Sequence, residues 1–145
     1  MAAEIFNILD KVDMANPPGP RERISLARQG DLQMALNLYV PGAKNEFHYH
    51  KGTSQSFLCF KGKLTLRTKE TETAEPVTHC LTEGMCAMIP ADQYYQLHNE
   101  SDAPVLLYQV KPPGDQIVVA GKGVMNNKDY FTKQRGEKAD AGAIR

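Results

Sequence analysis

The sequence predicts an all-β domain, because short strands separated by turn residues account for most of the chain. Residues 32–40 carry an apolar side chain at every second position, which is the pattern of a strand with one buried face. Similar short runs recur with turn residues roughly every eight to twelve positions, and this spacing is typical of a sandwich or barrel. With 145 residues the chain is long enough to form one domain around its own core.

The predicted strands follow one another from residue 32 to residue 110. Pro41-Gly42 ends the first strand, because proline donates no backbone hydrogen bond and glycine adopts turn conformations. A hairpin turn is predicted at 61–63 and an exposed loop at 68–76. The predicted strands are 32–40, 46–50, 55–60, 64–67, 77–80, 85–89, 94–98 and 105–110.

The two ends of the chain differ from this central region. Apolar residues between positions 5 and 12 are spaced for one or two amphipathic helical turns, although a strand at a sheet edge would also accommodate them. The proline-rich residues 16–20 predict a stiff connector. We therefore divide the chain into an N-terminal segment with its connector (1–20), a barrel (21–131) and a polar, flexible tail (132–145).

Charge and composition exclude several classes of partner. Seventeen basic residues balance 17 acidic ones, so the formal net charge is zero and nothing in it favours nucleic acid or an anionic membrane. No apolar run approaches the ~20 residues of a membrane span, and we expect a cytoplasmic protein. Cys59, Cys80 and Cys86 lack CxxC spacing, which predicts reduced and mostly buried thiols.

The candidate functional site centres on His48 and His50. Side chains two residues apart leave the same face of a strand, so the two imidazoles could hold one metal ion together. They are half of the four histidines in the chain. Of the other two, His79 has no motif around it, which predicts a surface or packing role.

Two sets of spaced residues form motifs in the predicted strands and turns. The positions are Gly42, His48, His50, Gln55 and Gly62 in the first motif, and Gly84, Pro90, Asp92, Tyr95 and Asn99 in the second. These motifs resemble those of the cupin superfamily, and the resemblance covers roughly residues 30 to 112. The first cupin motif usually has a glutamate where this chain has Gln55, and the second normally has glycine and histidine where this chain has Asp92 and Tyr95.

The resemblance implies a single-domain cupin jelly-roll barrel that holds a divalent metal ion in its mouth and pairs with a second copy as a homodimer. His48 and His50 are its implied metal ligands. In uronate-processing cupins a glutamine stands at the position of Gln55, which implies the amide oxygen of Gln55 as a third ligand. Fe(II) is the preferred ion, with Zn, Ni, Mn or Cu as alternatives.

Tyr95 leaves three alternatives open. In the first it is a fourth ligand or an acid that points at substrate, although a neutral phenol with a free pKa of about 10 is a poor ligand. In the second, a bulge turns His98 inward as the fourth ligand, although positions 95 and 98 face opposite sides of a regular strand. In the third, no metal binds and the two histidines hydrogen-bond within a pocket.

Strand alternation also predicts the walls of a substrate pocket. Phe57 and Cys59 share the face of Gln55, and Leu97 shares the face of Tyr95. Leu36 and Leu38 are assigned to the same apolar interior. A pocket of this kind, apolar with a few convergent polar groups, suits a small organic metabolite.

Three functions follow from this site. The first is a metal-dependent enzyme, most commonly an oxygenase such as a dioxygenase, acting on a small anionic or enolisable metabolite. The second is an isomerase, dehydratase or lyase that uses Tyr95 as acid or base. The third is a cupin that binds a small molecule without turnover, since one fold supports many functions.

Overall fold

The computed structural model describes residues 2–113 and 116–126, which are almost entirely strands and turns. The all-β fold is thereby confirmed, and the predicted tail 132–145 lies outside the described residues. A 3₁₀-helix spans Ile8–Lys11. The strands are β1 (Arg21–Gln29), β2 (Leu32–Tyr39), β3 (His48–His50), β4 (Gln55–Lys61), β5 (Leu64–Lys69), β6 (Val77–Leu81), β7 (Cys86–Ile89), β8 (Tyr94–His98), β9 (Val105–Lys111), β10 (Gln116–Val119) and β11 (Gly123–Asn126).

The strands form two antiparallel sheets that pack face to face as a jelly roll. One sheet has the order β1-β2-β9-β4-β7, and the other has the order β11-β10-β3-β8-β5-β6. Strands distant in sequence therefore lie side by side, as β2 does with β9 and β3 with β10. This pairing brings residues from both halves of the chain to one interior.

The main core lies between the two sheets. Its buried members come from both, and they include Phe57, Cys59, Leu66, Ile89, Tyr95, Leu97 and Leu107. A second apolar cluster joins Leu36, Leu38 and Leu106 to partly buried residues of the N-terminal segment and β1, among them Ile8, Val12 and Ile24. The N-terminal segment thus covers the outer face of the first sheet.

This second cluster corrects the prediction for Leu36 and Leu38. Both side chains are fully buried, but they pack beneath the N-terminal segment instead of lining the barrel interior. The inward residues of the same strand include Tyr39, which belongs to the main core. Because β2 is buried on both faces, its apolar alternation could not distinguish the inside of the barrel from the outside.

Three strands were missed in the sequence. Strand β1 runs for nine residues along β2, and its register shifts between Ser25 and Ala27. Strands β10 and β11 form a hairpin at the other end, and β10 pairs with β3. The bulge in β1 breaks its alternation, and β10 is only four residues long.

Gly62 is required at the turn between β4 and β5. Its φ angle is +88°, in the left-handed region that favours glycine. A Cβ atom at this position would also lie 2.6 Å from the carbonyl oxygen of Pro104. The first-motif glycine therefore allows this hairpin to pack tightly against the start of β9.

The cysteines are less buried than predicted. Cys59 lies in the core, but Cys80 and Cys86 are exposed. Cys80 belongs to β6 and Cys86 to β7, which are edge strands of the two sheets, so solvent reaches both.

Among the described residues, no helix is long and apolar enough to cross a membrane.

Candidate functional site

His48 and His50 lie in the barrel interior, as their spacing predicts. They occupy the short strand β3, where His48 pairs with Tyr95 of β8 and His50 pairs with Ile117 of β10. The two residues are only 2% and 3% exposed, and their ring centroids lie 5.3 Å apart. His48 donates from Nδ1 to the carbonyl oxygen of Glu46 at 2.7 Å. In the neutral ring this leaves Nε2 of His48 unprotonated.

Tyr95 lies against both histidines. Its hydroxyl oxygen lies 3.1 Å from Nε2 of His50, and the Tyr95 and His48 ring centroids are 4.5 Å apart. The side-chain amide of Gln55 donates to the same hydroxyl oxygen at 3.0 Å. Gln55 and Tyr95 are only 3% and 2% exposed, so these contacts are shielded from water.

Two more buried amides continue this network. Gln109 donates from Nε2 to Oε1 of Gln55 at 2.6 Å, and Asn37 donates from Nδ2 to Oε1 of Gln109 at 3.0 Å. Gln109 lies on β9 and Asn37 on β2, and each is less than 10% exposed. The interior of the first sheet thus carries a row of neutral polar groups that ends at Tyr95 and His50.

Asp92 ties the turn after β7 to the histidine strand. Its φ angle is +68°, and it occupies a position where the cupin motif normally has glycine. Its backbone N–H donates to the carbonyl of His50 at 3.2 Å, and its carboxylate accepts from the N–H of Gly52 at 2.8 Å. Aspartate is one of the few residues besides glycine that adopts this conformation, and here its side chain stabilises the loop.

His98 lies on the outside of the barrel, which is a correction of the bulge alternative. The pairing of β8 with β5 is regular, so Tyr95 and Leu97 face inward while His98 faces outward. Its Nδ1 lies 3.2 Å from Arg67 and 3.2 Å from Glu100. Burial lowers the pKa of His98, and the hydrogen bond from Arg67 lowers the pKa of the Glu100 carboxyl. His98 is therefore not a ligand at this site.

The apolar wall around Tyr95 contains three of the predicted residues. Phe57, Cys59 and Leu97 all belong to the same buried cluster as Tyr95, and the Phe57 and Tyr95 ring centroids lie 5.8 Å apart. Burial raises the pKa of the Cys59 thiol to about 11, with smaller contributions from Glu83 and Cys80. Cys59 is therefore a neutral thiol near pH 7 and acts as a small apolar wall residue.

Comparison with known proteins identifies the family. The profile of the cupin domain matches residues 36–111, which is more than half of the 145-residue chain. The chain belongs to the cupin family. The matched range runs from β2 to β9 and includes both histidines, Gln55, Tyr95 and Gln109, so the site described above is the interior of a cupin barrel.

Three similar proteins show the extent of the likeness. Uncharacterized protein L612 of Acanthamoeba polyphaga mimivirus is 34% identical over 87 residues, which are 57% of this chain and 51% of that protein. This cupin therefore spans about half the length of the curated relative it matches. The structure of TT1209 from Thermus thermophilus shares 26% identity and a TM-score of 0.64, covering 77% of this chain and 98% of that one.

The third is a sugar phosphate isomerase from a cupin superfamily, SPO2919 of Silicibacter pomeroyi. It shares 21% identity and a TM-score of 0.54, and the match covers 74% of this chain and 87% of that one. At this level of identity the likeness shows the fold alone.

In the described part of this cupin, the side chains that the motifs imply as metal ligands take part in hydrogen bonds with neighbouring residues. The oxygen of Gln55, the implied third ligand, accepts a hydrogen bond from Gln109. The hydroxyl of Tyr95 is in contact with His50 and Gln55. Within residues 2–113 and 116–126, no group of three or more histidine, cysteine, aspartate or glutamate side chains could hold a metal ion.

Gln109 and Asn37 are the residues that sequence reasoning missed. Each is a polar residue in a strongly apolar strand, and the two strands are neighbours. Asn37 lies on the face of β2 opposite Leu36 and Leu38, and this face turns toward the barrel interior. A polar residue within an apolar strand was the available signal, but only the pairing of β2 with β9 brings the two amides together.

Proposed function

We propose that this cupin is an enzyme that transfers a proton on a small, enolisable organic metabolite, as isomerases and dehydratases do. The observation that carries the proposal is the buried contact of the Tyr95 hydroxyl with Nε2 of His50, supported by the amide of Gln55. A phenol paired with an imidazole is suited to general acid and base catalysis.

The chemistry of this pair needs one mobile proton. When the Tyr95 oxygen takes a proton from the carbon beside a substrate carbonyl, its own hydroxyl proton passes to Nε2 of His50. The electron pair of the broken C–H bond becomes the enolate of the substrate. The Gln55 amide donates to the Tyr95 oxygen and stabilises negative charge on it. In the second half of the reaction Tyr95 gives a proton to the neighbouring carbon of the substrate, and the proton on Nε2 of His50 returns to the Tyr95 oxygen. The proton of the adjacent substrate hydroxyl passes to the former carbonyl oxygen, which completes the isomerisation.

Two further observations support this proposal. The described contacts of Tyr95 include the amide of Gln55 and the apolar ring of Phe57, which suit an uncharged part of a small metabolite. A structurally similar cupin carries the name of a sugar phosphate isomerase, and aldose and ketose substrates of that kind are enolisable. We therefore favour a hydroxy-carbonyl compound as the substrate.

Exchange of substrate protons with deuterated water tests the proposal. We would incubate the protein with hydroxyaldehydes, ketoses and their phosphates in D₂O and follow loss of the proton beside the carbonyl by NMR. We expect exchange with at least one compound, and a decrease of about 10²-fold or more in Tyr95→Phe. Tyr94→Phe is the matched control, since Tyr94 packs against Tyr49 away from the two histidines. Exchange that is equal in Tyr95→Phe and the native protein would exclude the proposed role.

A metal-dependent enzyme, such as an Fe(II) oxygenase, is the second candidate. It is favoured by the hydrogen bond from Nδ1 of His48 to a backbone carbonyl, an arrangement common for histidines that bind a metal through Nε2. Binding through Gln55 would require its amide to turn away from Gln109. Elemental analysis of the native protein, His48→Ala and His50→Ala checks this candidate, and negligible metal in all three would eliminate it.

The homodimer and the cytoplasmic location stay predictions.

A further inference from the structure

A lysine continues the row of buried polar residues on the inward face of β9. Lys111 is only 2% exposed. Leu107 of the same strand belongs to the main core, and Gln109 contacts Gln55 in the interior. Side chains alternate along a strand, and the pairing of β9 with β2 is regular as far as Lys111, so the lysine faces the same way as Leu107 and Gln109. The interior therefore carries an ammonium group beside its neutral amides.

Lys111 lies at the end of the barrel that holds the site. Gln55 begins β4 and Lys111 ends β9, and the two strands are antiparallel neighbours. Ser56 pairs with Val110, so Gln55 and Lys111 occupy the next position of each strand, on the inward face. The amide of Gln55 donates to the Tyr95 hydroxyl at 3.0 Å. Gln55 is thus a neighbour of both Lys111 and the phenol of the proposed reaction.

The contacts of this ammonium group are compatible with a bound anion. It donates to the backbone carbonyl of Pro112 at 2.7 Å. An ammonium group has three N–H donors, so an oxyanion can join the groups that it contacts or displace one of them. Positive charge away from water is stabilised by negative charge at hydrogen-bond distance. A substrate carboxylate would supply that negative charge.

We propose that Lys111 binds the carboxylate of the substrate and so selects enolisable acids. Gln33 pairs with Lys111 and brings a half-buried amide to the same face. One carboxylate balances the charge of one ammonium group, whereas a phosphate group carries a charge of about −1.5 to −2 and would leave negative charge in excess. The inference rests on the proposed function for the position of the reacting carbonyl at Tyr95, but binding of the anion is measured without turnover.

Ligands that differ in one group test this inference on the native full-length chain. Hydroxypyruvate carries a carboxylate, dihydroxyacetone has a hydroxymethyl group in its place, and dihydroxyacetone phosphate carries a phosphate. Longer hydroxy-oxo acids with their hydroxymethyl analogues extend the panel, and calorimetric titration gives each Kd. We expect at least one acid to bind about 10-fold or more tightly than its uncharged analogue, and more tightly than the phosphate. If every acid bound no better than its analogue, or if the phosphate bound best, the inference would be wrong.

Two variants then assign the preference to Lys111. Lys111→Gln keeps a donor for the Pro112 carbonyl but removes the charge, so we expect the affinity for the acid to fall about 10- to 100-fold while the uncharged analogue binds as before. Lys111→Arg keeps the charge and should retain most of the preference. A merely structural role would weaken the binding of acid and analogue alike. That result, or an unchanged preference in Lys111→Gln, would overturn the inference.

The matched control is Lys63→Gln, which removes the same charge from the exposed turn between β4 and β5, at the other end of β4 from Gln55. We expect it to keep the native preference, and an equal loss there would mean that only the overall charge of the protein attracts the acid.

A measurement on native protein covers the case in which Lys111→Gln does not fold. In lysine-labelled protein, the ¹³C signal of the methylene group next to the Lys111 ammonium is assigned by its loss in Lys111→Arg. We expect this signal to shift with the acid and not with its uncharged analogue, and an unshifted signal at saturation would overturn the inference. Proton exchange in D₂O decides the proposed function separately, so the two can fail independently.

Discussion

Strand β8 presents two different polar networks on its two faces, and the difference shows how this barrel uses burial. On the inner face Tyr95 joins His50 to a row of amides, and every member is at least 93% buried. On the outer face His98 joins Arg67 and Glu100, and the Glu100 side chain is 44% exposed. The inner network contains neutral groups, whereas the outer one contains an ion pair.

The cost of burying charge explains this division. A polar group in the interior is tolerated when it has a hydrogen-bond partner, but an isolated charge there costs far more. Amides, a phenol and an imidazole hydrogen-bond to one another inside, while the guanidinium and carboxylate remain where water and salt screen them. The inner network is therefore suited to holding a proton at a defined atom, and the outer one contributes little to stability.

Substituting one histidine in each of the two networks gives the largest expected difference in the rate of proton exchange on substrate. His50→Gln removes the acceptor of the Tyr95 proton, so we expect proton exchange on substrate to fall by about 10²- to 10⁴-fold. His98→Gln changes a ring on the opposite face of the barrel and should leave the exchange rate little changed. NMR in D₂O measures both. Equal losses in the two variants would mean that the inner network has no special role.

A carboxylate placed inside the barrel is expected to have the next largest effect. Gln55→Glu introduces a buried charge among neutral groups, and we expect the metal-free protein to lose about 3 kcal/mol of unfolding free energy near pH 8. The same change supplies the anionic ligand that the cupin motif usually carries, so added Zn²⁺ should restore much of the loss. Urea unfolding with and without the ion measures both effects.

The control for this variant is Gln116→Glu, which adds the same charge at an exposed position of β10. We expect its unfolding free energy to stay within about 0.5 kcal/mol of the native value, with no response to Zn²⁺. If Gln55→Glu behaved like Gln116→Glu, the interior at Gln55 would be more accessible to water than its 3% exposure indicates.

Much of the fold and part of the site could be predicted from the sequence. Alternation and turn residues gave the strands between residues 32 and 110, because each needs only its own neighbours to be recognised. The two motifs placed His48, His50, Gln55 and Tyr95 in one barrel, and the structure brings these four together. Local pattern was sufficient wherever one face of a strand was buried and the other was exposed.

Pairing between distant strands accounts for what the sequence did not reveal. Leu36 and Leu38 alternate as inward residues should, but the N-terminal segment buries the outer face of their strand. Gln109 becomes part of the site only because β9 lies between β2 and β4. Asn37 is linked to Gln55 only through Gln109, although it lies 18 positions earlier in the chain and two strands away in the sheet.

The smallest expected effect concerns the pH dependence of stability on the outer face. Burial lowers the pKa of His98 below its ordinary value of about 6.5, so the unfolded chain binds this proton first as the pH falls. The contribution of neutral His98 to stability is therefore present above about pH 6.5 and is lost as the pH falls toward the lower pKa of the folded state. Glu100, whose pKa is also lowered, acts in the same direction in more acidic solution.

His98→Gln isolates this contribution, because glutamine keeps a polar side chain beside Arg67 and Glu100 but does not titrate. We expect the native protein to lose slightly more unfolding free energy than His98→Gln between about pH 8 and about pH 5, by no more than about 0.5 kcal/mol. Urea unfolding at matched ionic strength measures the difference. If the variant lost more unfolding free energy than the native protein, folding would raise the pKa of His98 instead of lowering it. A difference of several kcal/mol would mean that the outer network is as consequential as the inner one, which its solvent exposure argues against.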